Sequence, residues 1–309
     1  ALVPFLQKAA QDSYHTTRLF ALQGMKNIST REARALALRM TRDLNVWVRG
    51  AAIEMLGDLG DGASGKIIRQ HLKSPDRAVR YSAAAALFKL GDRSELDVLL
   101  DGIKGGSSTD RYQAIGYLGK IGTEEVIPHL VRLLEGDESE IVFYSLKAIG
   151  KHADKNILSR LIHLSGHHNS SLRYQSALVL GELSGVSGLE TLRALCTDSD
   201  AMVRLSAAVA LSRRGLEDCR DVFAAVLKDP DYGIRSAAAR VLGEVELPDR
   251  VHLLTMALAD ENTRVRTAAT RAVGMMGGPK AFSLLLDRLE DPREAIRAYA
   301  AGNLIKLMK

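Results

Sequence analysis

Apolar residues recur along this chain with a helical rhythm set inside a longer beat of 31 residues. Each repeat can be numbered from a recurring arginine taken as position zero. At −1 stand Val48, Val79, Ile141, Leu172, Val203, Ile234, Val265 and Ile296. At +3 stands a small residue, from Ala21 and Ala52 through Ser145 and Ser176 to Ala300. At +7 stands Met25, Leu56 or an aliphatic equivalent down to Leu304. These offsets share one stripe of a helix at about 100° per residue, so the pattern predicts an amphipathic helix B. Its small +3 residue marks a close approach of two backbones. Twelve residues before zero runs a second apolar column: Leu6, Ile68, Leu99, Leu130, Leu161, Leu192, Phe223, Leu254 and Leu285, with Ala37 in the second repeat. It predicts a helix A in every repeat. The turn between the helices is marked by Ser74-Pro75-Asp76, Asp229-Pro230-Asp231 and Asp291-Pro292, where proline suits a helix start because its missing N–H has no partner there. Glycine at +11 (Gly60, Gly91, Gly122, Gly215, Gly277) predicts the end of helix B.

The arginine beat is Arg18, Arg49, Arg80, Arg111, Arg173, Arg204, Arg235, Arg266 and Arg297, with Val142 as the one missing beat. Ten beats span the 309 residues, which predicts a single array with repeats at about 1–30, 31–61, 62–92, 93–123, 124–154, 155–185, 186–216, 217–247, 248–278 and 279–309. Six residues before zero an aspartate recurs, at Asp12, Asp43, Asp198, Asp229, Asp260 and Asp291. A carboxylate there can accept orphan N–H groups at the start of helix B, and it can pair with an arginine of its own or the adjacent repeat. The expected result is a structural ladder of Asp43, Arg49, Asp198, Arg204, Asp229, Arg235, Asp260, Arg266, Asp291 and Arg297 that joins repeats and binds no ligand.

The motif Asp-Pro-x-x-x-Val/Ile-Arg-x-x-Ala-Ala-x-x-Leu-Gly is complete from Asp229 to Gly243. It resembles the short bacterial HEAT-like repeat, the class also found in phycobilin lyases, and the resemblance covers the whole chain. It implies an all-α fold, a right-handed α-solenoid of about ten two-helix repeats, with helix B lining the concave side. Such arrays host unrelated activities, so the resemblance specifies the fold and not the function.

Composition fits stacked helices. The chain is 46% hydrophobic but only 5% aromatic. No apolar run is long enough to cross a bilayer, and the start Ala1-Leu-Val-Pro-Phe has no secretory signal pattern. The missing initiator Met suggests an excised piece of a longer polypeptide, with Ile305 and Met308 capping the last helix or continuing into further sequence. With only Cys196 and Cys219, no disulfide framework is expected, and a reducing, cytoplasmic setting follows. The net charge of +5 permits an anionic partner without requiring one.

The repeats with zero at 80, 111, 142 and 173 break the rule. Their −6 position holds Ser74, Gly105, Gly136 and His167, and Asp110 replaces an apolar −1 residue. One residue after zero they carry Tyr81, Tyr112, Phe143 and Tyr174. Offset +1 lies nearly opposite the stripe of helix B that faces helix A, so this column is expected to face a groove. Leu178, Leu205 and Val209 extend it, Lys89, Lys120, Lys147 and Lys151 border it, Arg213, Arg240 and Arg271 follow, and Glu54 and Asp58 give the N-terminal end the opposite sign. An apolar centre with a charged rim is the anatomy of a protein-binding site.

Catalytic chemistry is not visible. His163 and His167 have i,i+4 spacing, but Ser165-Gly166 falls between them where helix A should end, and no cysteine or acidic cluster completes a metal site with His152 or His168. Some HEAT-like enzymes hold two irons through His-Glu pairs, and this chain has no His-Glu dipeptide. It has neither a phosphate-binding Gly-rich loop nor a nucleophile elbow. The sequence therefore predicts a non-enzymatic scaffold or adaptor without cofactor, which binds another protein or an extended peptide through the central repeats. The alternatives are nucleic-acid binding through the basic face and a lyase-type protein handling a chromophore.

Overall fold

The computed structural model of the chain describes residues 2–60, 62–183 and 188–308, apart from the side chains of Lys151 and Lys155. Among the described residues there are twenty α-helices, short 3-10 turns and no strand. By its contacts the chain divides into two compact units, 1–152 and 153–309.

The N-terminal unit holds five hairpins. Their A helices are α1 (Val3–Ala9), α3 (Thr30–Met40), α5 (Gly65–Gln70), α7 (Leu96–Lys104) and α9 (Ile127–Leu133). Their B helices are α2 (His15–Lys26), α4 (Val46–Asp58), α6 (Arg77–Lys89), α8 (Ser108–Ile121) and α10 (Ser139–Ile149). The C-terminal unit repeats the plan. A helices α11 (Leu158–Ser165), α13 (Leu189–Leu195), α15 (Asp221–Val226), α17 (Arg250–Leu258) and α19 (Gly278–Asp287) alternate with B helices α12 (Ser170–Glu182), α14 (Ala201–Ser212), α16 (Tyr232–Val241), α18 (Thr263–Met276) and α20 (Glu294–Leu307). Within each unit every B helix packs on the next.

The predicted stripes form the core. Val48, Ala52 and Leu56 of α4 interleave with Val79, Ala83 and Leu87 of α6 over Ile68 of α5, all essentially without exposure. Burying each of the larger side chains contributes about 1.5–3 kcal/mol. In the C-terminal unit Val203, Ala207 and Leu211 of α14 pack with Leu192 of α13 in the same way. A glycine at +8 brings neighbouring B helices together. A Cβ added to Gly57 of α4 would lie 2.7 Å from Ala86 Cα of α6, so no larger residue fits without moving backbone.

The arginine beat is a joint, and its geometry is specific. In Arg18, Arg49, Arg80, Arg173, Arg204, Arg235, Arg266 and Arg297, Nη1 donates to the carbonyls six and five residues earlier, at the end of helix A. Those carbonyls have no helical partner, and a cation there also meets the negative end of the helix dipole. In Arg18, Arg49, Arg173, Arg235 and Arg266 the rest of the guanidinium reaches into the following repeat, whereas among the described residues Arg204 and Asp229 of the expected ladder do not pair. Arg18 pairs with Asp43, Arg173 with Asp198, Arg235 with Asp260 and Arg266 with Asp291.

The −6 aspartate does not cap helix B as the sequence suggested. Asp43, Asp198, Asp260 and Asp291 each accept the N–H two residues on. The cap is the −4 residue: Asn45, Asn169, Asp200, Asp231 and Asn262 accept from the first turn. In two of the four repeats where −6 lacks an acid, −4 supplies one, and Arg49 pairs with Asp76 and Arg111 with Glu138. Asp110 also finds a role. It completes a capping box with Ser107 and pairs with Arg77.

Cys196, which caps α13, and Cys219, in the turn leading into α15, form a disulfide with Cα atoms 6.0 Å apart. It ties two consecutive A helices behind α14. This corrects the expectation that the two cysteines form no disulfide. Two cysteines 23 residues apart carry no mark in the sequence that the repeat stacking will bring them together.

Candidate functional site

Two B helices differ from the rest. In α6 every residue from Tyr81 to Phe88 is buried, and in α14 every residue from Leu205 to Ser212. Both are rich in Ala and Ser, so they offer little side-chain height, and the flanking B helices rise above them as walls. Each becomes the floor of a groove.

In the N-terminal unit the groove runs from α4 across α6 to α8. Trp47, Gly50 and Glu54 line one side, Ala78 and Ser82 the floor, and Gln113, Tyr117 and Lys120 the other side, around about 460 Å³. The walls touch each other. The Tyr117 hydroxyl meets Ser82 Oγ at 2.6 Å and donates to Glu54 Oε1 at 2.9 Å. Lys120 Nζ reaches Glu54 Oε2 at 2.7 Å and sits 4.5 Å over the Tyr117 ring. Burial and the Glu54 charge push the Tyr117 phenol well above its ordinary value. A polar strap thus crosses α6. Nearby, Asp58 is held by both Lys26 and Lys89.

In the C-terminal unit the floor is apolar. Leu205 and Val209 of α14 are almost fully covered, with the half-buried Tyr174 and Leu178 of α12 on one side and Val241, Arg240 and Glu244 from α16 and its C-terminal end on the other. Arg213, past the end of α14, pairs with Glu244. A second recess continues from Arg240 and Glu244 to Arg264, Arg271 and Met275 of α18. Arg264 stacks on Tyr232 and Arg271 on Tyr299, with guanidinium-to-ring distances of 5.6 and 5.5 Å.

The structure brings Tyr174, Leu178 and Leu205 together, with Arg213 and Arg240 beside them. It corrects the placement of Tyr81, which is only 3% exposed. Tyr81 inserts towards Gly102 of α7, where an added Cβ would lie 2.6 Å from its hydroxyl, and its ring is 6.4 Å from that of Tyr117. The +1 direction that leaves a lone hairpin points, inside a stack, at the next repeat. Tyr112 and Phe143 are half-buried in a cluster with Tyr144, which stacks on Tyr112 at 4.1 Å and meets Phe143 edge-on at 5.5 Å. Tyr112 also donates to Glu140. Lys89 and Lys120 do not stand free on a rim, because Asp58 and Glu54 neutralise them; Lys147 is exposed, and the Lys151 side chain lies outside the described residues. Trp47, 62% exposed, and Tyr117 were not singled out in the sequence; an indole on the helix B surface was the available signal for the first.

The histidines do not assemble. His152, His163 and His168 are exposed, and His167 Nδ1 accepts the Asn169 N–H, standing in for the usual −6 aspartate. Burial and the neighbouring His168 and His163 hold His167 below the ordinary imidazole value. Among the described residues no group of three or more His, Cys, Asp or Glu is placed to hold a metal ion, and no helix is long and apolar enough to cross a membrane.

Comparison with curated protein sequences yields no match. Among solved structures, the chain is similar to Kap121p bound to Ste12p, at 11% identity over 98% of this chain and 44% of that one, with a TM-score of 0.52. Kap121p bound to Nup53p gives 12% identity over 98% and 44%, and also 0.52. Human deoxyhypusine hydroxylase in complex with glycerol shows 20% identity over 92% and 99%, with a TM-score of 0.37. The chain thus spans under half the length of the Kap121p chains it matches, and the likeness concerns the fold. The family model for HEAT repeats matches residues 2–87, 40–113, 66–145, 143–212, 158–232 and 220–305. Together with the hairpins stacked within each unit and their arginine joints, these matches show that the chain belongs to the HEAT-repeat family and has an all-α, α-solenoid fold.

Proposed function

We propose that this HEAT-repeat chain is a non-enzymatic scaffold that holds another protein on the exposed face of its B helices, with the α12–α14–α16 groove as the main seat. The observation that carries this reading is the apolar floor of Leu205 and Val209 beneath half-buried Tyr174 and Leu178, rimmed by Arg213, Arg240 and Glu244. Apolar centres with charged rims are where interface energy concentrates. Tyr112 and Phe143, already packed with Tyr144, serve as a secondary contact in the N-terminal unit. The Cys196–Cys219 bond favours an oxidising setting over the cytoplasm.

The test is capture of proteins by the intact chain, followed by affinity measurement with Leu178→Asp. A charge in the apolar seat should abolish capture while the circular dichroism of the chain is preserved; capture that survives it would remove the proposal. A second reading, nucleic-acid binding, is favoured by Arg240, Arg264 and Arg271 lining one recess. It requires that fluorescent RNA or DNA bind with an affinity falling steeply as salt rises.

A further inference from the structure

The groove of the C-terminal unit is apolar at one end and basic at the other. The apolar end is a recess of about 160 Å³ formed by Tyr174, Leu178, Leu205 and Val209, large enough for one aliphatic or aromatic side chain. Beyond it the recess between α16 and α18, about 520 Å³, is lined by Arg240, Arg264 and Arg271. Across the two, four arginines face one carboxylate, and that one, Glu244, is occupied by Arg213. Arg271 lies against an aromatic ring, which orients the guanidinium without neutralising it. Among the described residues neither Arg240 nor Arg271 has an ion-pair partner, although most arginines of the arginine beat do. Two cations left unpaired beside an apolar seat give a partner both an anchor point and a charge requirement.

We infer that this groove takes an acidic, extended peptide segment of a partner protein: a Leu, Met or Phe side chain seated over α14, with carboxylates meeting Arg240 and then Arg271. The inference rests on the scaffold reading above and adds the partner's chemistry. Geometry fixes the spacing. Neighbouring B helices lie about 8–10 Å apart and an extended chain advances about 3.3 Å per residue, so Arg240 on α16 is about three residues from the anchor and Arg271 on α18 about six. A basic segment is excluded at the same place by like charge, which costs affinity and slows encounter.

The test uses the full chain as bait for a phage-displayed library of random twelve-residue peptides. The selected sequences are expected to place Asp or Glu about three and six residues from a large apolar residue. A synthetic copy of the strongest binder should lose about 100-fold in affinity for Arg240→Glu/Arg271→Glu, about tenfold for each contact. Arg240 and Arg271 are surface residues, so unchanged thermal unfolding of the double variant separates lost binding from lost folding. Selected peptides without acids, or affinity indifferent to the double reversal, overturn the inference; if such peptides still require Leu178, the scaffold reading survives. If the library yields no binder but single-stranded RNA binds and is lost on reversal, the groove reads nucleic acid and both readings fall.

Discussion

The grooves over α6 and α14 are built on the same plan and end in opposite states. Each has a low B helix, buried from Tyr81 to Phe88 or from Leu205 to Ser212, as floor and two flanking B helices as walls. Over α6 the floor is Ala78 and Ser82, and the Glu54–Tyr117–Lys120 strap crosses it with polar bonds. Over α14 the floor is Leu205 and Val209, an apolar seat with Arg240 unpaired at its rim. The +8 glycines measure the same difference. An added Cβ on Gly57 would lie 2.7 Å from Ala86 Cα, whereas on Gly181 it would lie 2.9 Å from Ala210 Cβ and 3.5 Å from its Cα. One wall thus lies closer to its floor in the N-terminal groove than in the C-terminal one. What each groove offers is decided by its side chains: Tyr117, Glu54 and Lys120 bond across α6, whereas Leu205 and Val209 present apolar surface at α14.

The largest expected effect breaks the C-terminal side of this comparison. Reducing the Cys196–Cys219 bond, or replacing both residues with Ala, should destabilise the 153–309 unit by about 3 kcal/mol through the entropy of the opened loop. Hydrogen exchange should show lost protection there and unchanged protection in residues 1–152.

The packing difference is sharpened by two alanines. Gly57→Ala should cost about 1–2 kcal/mol net, because backbone must move. Gly181→Ala should also destabilise but by less, because its one contact under 3 Å is to Ala210 Cβ at 2.9 Å and the Ala210 Cα lies at 3.5 Å. Chemical denaturation of the two variants reads the difference directly.

Acid should separate the units again. Arg173's guanidinium holds the Asp198 carboxyl below the ordinary carboxylate range, and Arg235 does the same for Asp260. A depressed folded-state pKa gives stability that is present above the unfolded value and is lost as pH falls through the folded one. Three such shielded rungs lie in the C-terminal unit, Arg173–Asp198, Arg235–Asp260 and Arg266–Asp291, against Arg18–Asp43 in the N-terminal unit. Below about pH 4 the C-terminal unit should lose more stability, and Asp198→Asn/Asp260→Asn should flatten that loss in a pH series of melts.

The smallest effect concerns the strap. Tyr117→Phe removes the bridge to Ser82 and Glu54 at a cost of about 1 kcal/mol. Trp47 is the one tryptophan and lines the same groove, so its emission should shift. Peptide binding at α14 should not change.

Much of this was legible in the sequence. The −1, +3 and +7 stripe placed every B helix, because a helix packed on its hairpin partner obeys a single periodicity. The arginine–aspartate ladder was legible as a joint. Its register was not, since Asp43 and Asn45 differ in role only through turn geometry. Position +1 misled for a physical reason. A helical wheel sees one neighbour, but Tyr81 has a second in the next repeat, and it is buried against α7 and α8. Glu54 and Lys120 were placed on one face; that they join across α6 depends on the low profile of its Ala and Ser residues. Tyr174, Leu178 and Leu205 were nominated together because a larger floor residue keeps its apolar signature whichever way the walls close.

The most direct measurement of the central claim, that binding belongs to the apolar groove and not to the strapped one, is the dissociation constant of a captured protein for two double variants. Tyr174→Ala/Leu178→Asp should weaken it about 100-fold or more, as expected for the centre of an interface. Trp47→Ala/Gln113→Ala, on the walls of the α6 groove, should leave it within about threefold, as for residues outside one. The reverse order, or equal losses in both, would contradict the account.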